Sequence, residues 1–240
     1  FEKKGNIKGF LKNYTDKFVN IISNDNDKNN LGIKKILKPD EYWAYELQKG
    51  GYILYMRHAK RDKWKDVAIY DADEAKLFKE NRNKEFYGEN TYYSKGVCLN
   101  DKGKIQAKMF KEKIRESKLP VGFVVSSPSC RARQTAILAF GKHDKIDEIF
   151  IHRNVFNEVY KEWQGNLKKA IIDLPIIDGK NTIITAHGGV IDRNLFKNND
   201  AAFPFKLTQG GFYVISKVNN GLKIEHEFSK FEEFSKVFSI

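Results

Sequence analysis

The chain has 240 residues, a length that suits one large domain or two small ones and that buries a core without disulfides or metals. Apolar residues make up 41% and charged residues 31%, which is typical of a globular chain, and the 17 Gly and 5 Pro show no repeat period, which excludes fibrous and solenoid proteins. No apolar run approaches the ~18 residues that a transmembrane helix needs, so we expect no integral membrane segment.

The formal net charge of +12 leaves two interpretations open. The lysines are either an ordinary solvated surface or the source of a field that attracts anions such as phosphate esters, nucleic acid or acidic lipid. Because the lysines are scattered and form no long basic tract, we favour the first interpretation and expect no nucleic-acid partner.

Residues 1–49 are polar and basic, and we interpret them as an N-terminal helical extension that packs on a domain spanning residues 50–240. Apolar spacing predicts one helix over 10–21 and a second over 40–47. Residues 60–97 are charged and irregular, which predicts a long loop or insertion over one end of a sheet.

Short apolar runs predict buried strands at 52–56, 121–126, 149–155 and 182–186. Helical patterns separate them, from about 99 to 117, with Ile105, Met109, Phe110 and Ile114 on one face, and from 131 to 140. The runs 212–218 and 222–228 flank an Asn-Asn-Gly turn and predict a terminal hairpin. Together these elements predict an α/β fold, with a mostly parallel, mixed sheet covered by helices on both faces.

Polar groups stand out directly after three of these strands. Arg57 and His58 follow the first strand, a segment with Ser127 and Arg131 follows the second, and His187 follows the fourth. Ligands of open α/β sheets bind beyond the carboxyl ends of the strands, so these side chains are expected to converge there. Each of these residues alone is a weak indication of a functional site, whereas two His and two Arg at one edge of the sheet are a stronger one.

Four segments together resemble signatures of the histidine phosphatase superfamily, the branch that includes phosphoglycerate mutases. They are residues 54–59 (LYMRHA), 99–107 (LNDKGKIQA), 126–136 (SSPSCRARQTA) and 185–189 (TAHGG). The resemblance covers about residues 50–218, in the order and rough spacing of the family, and it implies a phosphoglycerate mutase-like fold. One departure is Ala59, which stands where the signature has Gly and restricts the turn only if a positive φ is needed there.

The resemblance implies a role for each site residue. His58 would be the nucleophile, Arg57 and Arg131 would bind the phosphoryl oxygens, and His187 would complete the pocket. Gly188 follows His187 where another branch has an acid, so the resemblance places the general acid at Glu158, with Glu162 as a rival.

The chemistry of phosphoryl transfer fits these residue types. Guanidiniums meet the charge on the equatorial oxygens, and a neutral imidazole attacks the phosphorus. A carboxylic acid protonates the poor leaving group.

Lys60 and Arg61, directly after His58, are candidate substrate-binding residues. A basic segment over the site suits a substrate with more than one anionic group, and an ordinary solvated charge run explains it equally well.

The two cysteines, Cys98 and Cys130, lack metal-ligand spacing. Free thiols are expected in a cytosolic protein and a disulfide in an exported one, where the pair would brace the phosphate pocket. The first residue is Phe1 rather than Met, and with the cysteine pair this favours an exported or periplasmic protein.

We therefore predict a metal-independent phosphomonoesterase of the histidine acid phosphatase type. It would act through a phosphohistidine on a small phosphorylated metabolite or sugar phosphate, and it would need no cofactor and no metal. The alternatives are a phosphoglycerate mutase-like phosphotransferase and a non-catalytic module that binds phosphate or nucleic acid. The oligomeric state is left open.

Overall fold

The computed structural model describes residues 39–64, 67–80, 94–151, 160–197, 207–219 and 221–238. The helix predicted over 10–21 and the candidate acid Glu158 lie outside these ranges. In the part of the chain described, no helix combines the length and the apolar character needed to cross a membrane.

A six-stranded mixed sheet forms the centre of the described structure. Its strands are β1 (Ile53–Arg57), β2 (Val121–Ser126), β3 (Lys145–Ile146), β4 (Asn181–Ala186), β5 (Phe212–Val218) and β6 (Gly221–Phe228). The spatial order is β3-β2-β4-β1-β5-β6, with parallel pairs from β3 to β1 and antiparallel pairs from β1 to β6. The predicted α/β fold with a mostly parallel, mixed sheet is confirmed.

Helices cover both faces of this sheet. They are α1 (Pro39–Leu47), α2 (Val67–Glu80), α3 (Ser94–Val97), α4 (Asp101–Glu116), α5 (Cys130–Phe140), α6 (Tyr160–Asp173) and α7 (Phe231–Val237), with short 3-10 turns at Glu148–Phe150 and Arg193–Leu195. Alternate β1 side chains point to opposite faces. Leu54 and Met56 join the core cluster built with α1, α4, α5 and α7. Ile53 and Tyr55 join the cluster built with α6.

The predicted helix over 40–47 is confirmed as α1, and it packs on the domain. Trp43 stacks on His226 of β6 with ring centroids 6.3 Å apart. The His226 Nε2 lies 2.8 Å from Asp40 Oδ1. Burial lowers the pKa of His226 below its usual value, and Asp40 opposes that shift. At least this part of the proposed extension is therefore joined to the sheet.

The loop predicted over 60–97 is wrong for residues 67–80 and 94–97, which form α2 and α3, whereas the alternative of an insertion stays a prediction. Helix α2 was missed because its inward face is charged: Asp71 and Glu74 are both fully buried beside Ala72 and Ala75. An apolar period cannot reveal a helix that buries carboxylates. Ile69, on the same helix, is 59% exposed.

Two other predictions are wrong, one about the position of a strand and one about the buried face of a helix. The third strand predicted at 149–155 is wrong over its described part, residues 149–151: Ile149 lies in a 3-10 turn where its N–H donates to Asp147 Oδ1 at 3.1 Å, and β3 comes earlier. Residues 152–155 lie outside the described residues. On α4, Ile105 and Met109 are about 60% exposed (60% and 58%), whereas Phe110 is buried.

The orientation of α4 follows from Gly103, which faces inward. An added Cβ at Gly103 would lie 1.9 Å from the Lys60 carbonyl oxygen, so the helix approaches that strand-end segment closely. This contact turns the helix face of Gly103, Ala107 and Phe110 toward the core.

Candidate functional site

The carboxyl ends of β1, β4 and β2 are neighbours, and they bring the predicted site residues together. The His58 N–H donates to the Ala186 carbonyl at 3.0 Å, and the Ser127 N–H donates to the Thr185 carbonyl at 2.9 Å. The His58 and His187 rings consequently lie 5.4 Å apart between centroids, at an angle of 64°. His58, Ser127 and His187, from distant parts of the chain, thus lie together at this edge of the sheet. We call the site around these three residues the cup.

His58 is buried, at 2% exposure, and its ring is held in one tautomer. Its Nδ1 lies 2.7 Å from the Ala59 carbonyl oxygen. Because a carbonyl only accepts, Nδ1 carries the hydrogen and Nε2 keeps its lone pair. Burial lowers the pKa of His58 well below its usual value, and Arg131 lowers it further, so the imidazole is neutral near pH 7.

His187 is held in the opposite tautomer. The Arg131 Nη2 lies 3.3 Å from His187 Nδ1, and a guanidinium only donates, so Nδ1 accepts. The hydrogen then resides on Nε2, which lies 3.0 Å from Ser127 Oγ and donates to it. The Tyr55 hydroxyl donates to the His187 carbonyl at 2.8 Å and fixes the backbone. Two neutral imidazoles with opposite tautomers therefore stand side by side.

Arg131 is fully buried at the start of α5. Its Nη1 donates to the Val97 carbonyl at 3.2 Å. Both terminal nitrogens also donate to the two carboxylate oxygens of Asp71, from α2. This buried ion pair lies beside His187, within the cup itself.

Arg57 and Arg61 add two half-buried guanidiniums. Arg57 Nη1 donates to the Leu207 carbonyl at 2.6 Å, and Arg61 Nη1 donates to the Asp62 carbonyl at 2.5 Å. The Nε atoms of both are buried and have no hydrogen-bond acceptor among the described residues. Burial and the charge of Arg131 lower the pKa of Arg57 and bring the pKa of Arg61 to about 10. Buried donors of this kind indicate a place for an anion.

The other candidates differ in their placement. The Lys60 side chain is exposed, and it is the Lys60 backbone that is held, by N–H donation to Gln106 Oε1 at 3.0 Å. Glu162 is exposed on α6. Glu158 is outside the described residues, so its role stays a prediction.

Two motif residues on α5, Thr135 and Gln134, hydrogen-bond to the backbone of neighbouring segments. Thr135 Oγ1 accepts the Ala59 N–H at 3.0 Å and donates to the Arg131 carbonyl at 2.7 Å, which links the nucleophile candidate to α5. Gln134 Oε1 accepts the Leu99 N–H at 2.7 Å. Among the described non-glycine residues, a positive φ occurs at Lys118 and not at Ala59. Alanine therefore fits at the position where the signature has Gly.

Three features of the site were missed in the sequence. Asp71 and Glu74 carry no motif. Ser127 was part of a quoted segment, but its contact with His187 was not foreseen. The turn at 207–211 also belongs to the site, since the Gly210 N–H lies 3.1 Å from both the Arg57 and the His58 carbonyls. Gly210 has φ +90°, and the Gly-Gly pair before β5 was the available signal.

Cys98 and Cys130 form a disulfide with their Cα atoms 4.9 Å apart, so of the two alternatives the bonded one is present. Both residues are buried. Cys130 precedes Arg131, and Cys98 follows Val97, whose carbonyl accepts from Arg131. The disulfide therefore ties together the two segments that hold this guanidinium.

A comparison with protein families finds that the profile of the histidine phosphatase superfamily (branch 1) matches residues 79–176. The matched segment covers less than half of the chain and agrees with the resemblance that the motifs carry. It includes Arg131 and α5, while His58 and His187 lie outside the matched segment. The match supports a phosphatase or a phosphotransferase as the class of activity. A comparison with curated proteins finds no match.

Several solved structures resemble the chain at low identity. The putative phosphohistidine phosphatase SixA from Agrobacterium tumefaciens is 16% identical over 74% of this chain and 97% of its own, with a TM-score of 0.43. A phosphoglycerate mutase from Thermus thermophilus is 15% identical over 74% and 98%, with a TM-score of 0.43. A phosphoserine phosphatase from Entamoeba histolytica is 13% identical over 73% and 95%, with a TM-score of 0.47. Because these values are low, the proposals below rest on the site itself.

Proposed function

We propose that the protein is a phosphomonoesterase that forms a phosphohistidine on His58 and needs no metal. The observation that carries the proposal is the tautomer of His58, whose Nδ1 hydrogen is bound to the Ala59 carbonyl at 2.7 Å. The lowered pKa of His58 keeps Nε2 unprotonated at neutral pH. A neutral imidazole beside three guanidiniums is suited to attack a phosphate ester.

In the first step, the lone pair of His58 Nε2 forms a bond to phosphorus while the P–O bond of the ester breaks. Arg57, Arg61 and Arg131 neutralise the charge that spreads over the equatorial oxygens. The leaving alkoxide takes a proton from a carboxylic acid, for which Glu158 is our candidate. The alcohol then departs and the phosphoryl group stays on His58.

In the second step, water attacks the phosphorus and the P–N bond breaks. The carboxylate left by the first step accepts the proton of the water, so the acid is restored. Inorganic phosphate leaves, and His58 Nε2 recovers its lone pair. His187 is then available to donate a hydrogen bond to a phosphoryl oxygen if its ring exchanges Ser127 for the ligand.

The charges of the cup favour a small dianionic substrate. Three guanidiniums and the carboxylate of Asp71 leave two positive charges in excess among these four side chains. A phosphate monoester carries nearly two negative charges at neutral pH. A small phosphorylated metabolite or sugar phosphate is therefore the substrate class that we propose, with Arg61 as a contact for the phosphoryl group or its neighbour.

Hydrolysis of p-nitrophenyl phosphate by the wild type and by His58→Ala tests the proposal. We expect the variant to lose at least about a thousandfold in kcat, because the covalent route is removed. Wild-type turnover should be unchanged in EDTA. Mass spectrometry of a rapidly quenched reaction should show the phosphoryl group on the peptide that contains His58.

His143→Ala is the matched control, since the same substitution is made between α5 and β3, away from the cup. The proposal fails if His58→Ala turns over at the wild-type rate, or if EDTA abolishes wild-type activity. Phosphoglycerate isomerisation measured in parallel separates hydrolysis from mutase-type transfer, because a mutase returns the phosphoryl group to a sugar-acid hydroxyl rather than to water.

A further inference from the structure

The N–H groups of Arg131 are already used by the protein. A guanidinium has five N–H donors. Four of them meet acceptors in the structure: both carboxylate oxygens of Asp71, the Val97 carbonyl at 3.2 Å and His187 Nδ1 at 3.3 Å. A phosphoryl group can therefore be bound by the two terminal nitrogens of this guanidinium only when one of these acceptors leaves.

Helix α2, which carries Asp71, is held against α5 by a second buried carboxylate. Glu74 accepts the Cys130 N–H at 3.1 Å and pairs with Arg133 at 2.6 Å. It thereby caps the N-terminus of α5, where the side chain of Ser129 makes no capping bond. The Arg133 guanidinium also lies 3.7 Å from the centre of the Phe78 ring. Glu74 and Phe78 thus anchor α2 through α5 rather than through the two histidines.

Asp71 is the acceptor best suited to leave. The Val97 carbonyl belongs to the backbone and His187 follows a central strand, whereas the Asp71 carboxylate reaches Arg131 at the end of a side chain from α2. Its two oxygens fill the same bidentate fork that a phosphoryl group uses. The exchange replaces one negative charge with nearly two, beside Arg131 and the half-buried Arg61.

We propose that Asp71 is a specificity-determining residue, an internal competitor whose carboxylate occupies the phosphoryl position on Arg131 until a dianion displaces it. The identity of the displacing group, a phosphate monoester, rests on the proposed function. A singly charged ligand gains nothing by replacing a carboxylate that is already tethered, so Asp71 excludes carboxylates and other monoanions. A phosphate monoester gains from its second charge, and the displaced carboxylate moves outward with the N-terminal half of α2.

Calorimetric titration of the full chain with inorganic phosphate tests this proposal. Asp71→Asn keeps the shape and removes the charge of the competitor, so we expect the dissociation constant to fall at least about tenfold, as when a binding-competent state that is rarely populated becomes the main one. Acetate should bind measurably to this variant and not to the wild type. Asp73→Asn removes the same charge from an exposed position on α2 and should leave both affinities unchanged.

Unchanged or weaker phosphate binding by Asp71→Asn would overturn the proposal and make Asp71 a residue that merely positions Arg131. A second measurement on the wild type covers a variant that does not fold. Hydrogen exchange of residues 67–80 should become faster when phosphate is added, and unchanged or slower exchange overturns the displacement. Neither measurement needs turnover. If the protein shows both results but does not hydrolyse phosphate esters, the proposed function is refuted and the role of Asp71 is supported.

Discussion

Removal of the Cys98–Cys130 disulfide tests how strongly the placement of Arg131 depends on this covalent bond. The change is the double substitution of both cysteines by alanine. Serine is avoided because both sulfurs are buried among apolar groups, where a new hydroxyl would lack a partner. The expected result is a folded protein with lower stability and a weaker hold on phosphate esters.

The magnitude follows from the length of the closed loop. The two cysteines are 32 positions apart, and in the chain-entropy description a loop of this length raises the free energy of unfolding by about 3.7 kcal/mol. Unfolding entropy is about 2.1 cal/mol/K per residue, so a chain of this size is expected to lose about 7 °C in Tm. The Michaelis constant for p-nitrophenyl phosphate should also rise, because Val97 and the first turn of α5 lose their link beside Arg131.

Thermal unfolding followed by circular dichroism measures the loss, with mass spectrometry of the unreduced wild type to verify that the thiols are bonded. Wild type treated with a reductant after unfolding is the matched control and should melt with the double variant. A Tm that differs by less than about 2 °C between the bonded wild type and the double variant would refute the reasoning, since the expected loss is several times larger.

Two further predictions concern protonation and close packing. Because the pKa of His58 is lowered, the acid limb of kcat/KM should lie below pH 6.5; acidification from pH 6.5 should also reduce stability, since the unfolded chain then binds a proton that native His58 does not. A limb centred at or above pH 6.5 in the wild type would contradict the lowered pKa of His58. Gly103→Ala should lower the free energy of unfolding by about 2 kcal/mol or more, since its Cβ would lie 1.9 Å from a backbone oxygen. Gly165→Ala, in open space on α6, should raise it by about 0.5–1 kcal/mol. Denaturant unfolding compares the two glycine variants, and equal effects would show that the close approach is absent.

Much of the sheet could be predicted because its strands are short apolar runs. The predictions for 121–126 and 212–218 agree with β2 and β5, and the run at 182–186 differs from β4 by one residue. The central strands are covered by helices on both faces, so nearly every position favours apolar residues. The two-residue strand β3 could not be found this way, because it is too short to show a pattern.

Helix α6 was missed for a different reason. In this segment the sequence analysis predicts only the candidate acids Glu158 and Glu162, although Trp163, Leu167 and Ile171 are buried at helical spacing. That period was available in the sequence. Helix α2 differs, because its buried positions are carboxylates whose partners come from α5 and cannot be identified from spacing.

The sequence by itself determined that His58, Arg131 and His187 follow strands, since apolar runs and motifs are local properties of the chain. Only the tertiary structure decided which nitrogen of each imidazole carries its hydrogen, because that depends on the Ala59 carbonyl and on Ser127. It likewise decided that Asp71 lies on Arg131. A buried charge is tolerated where an opposite charge and enough hydrogen bonds surround it, and those partners come from segments distant in the chain.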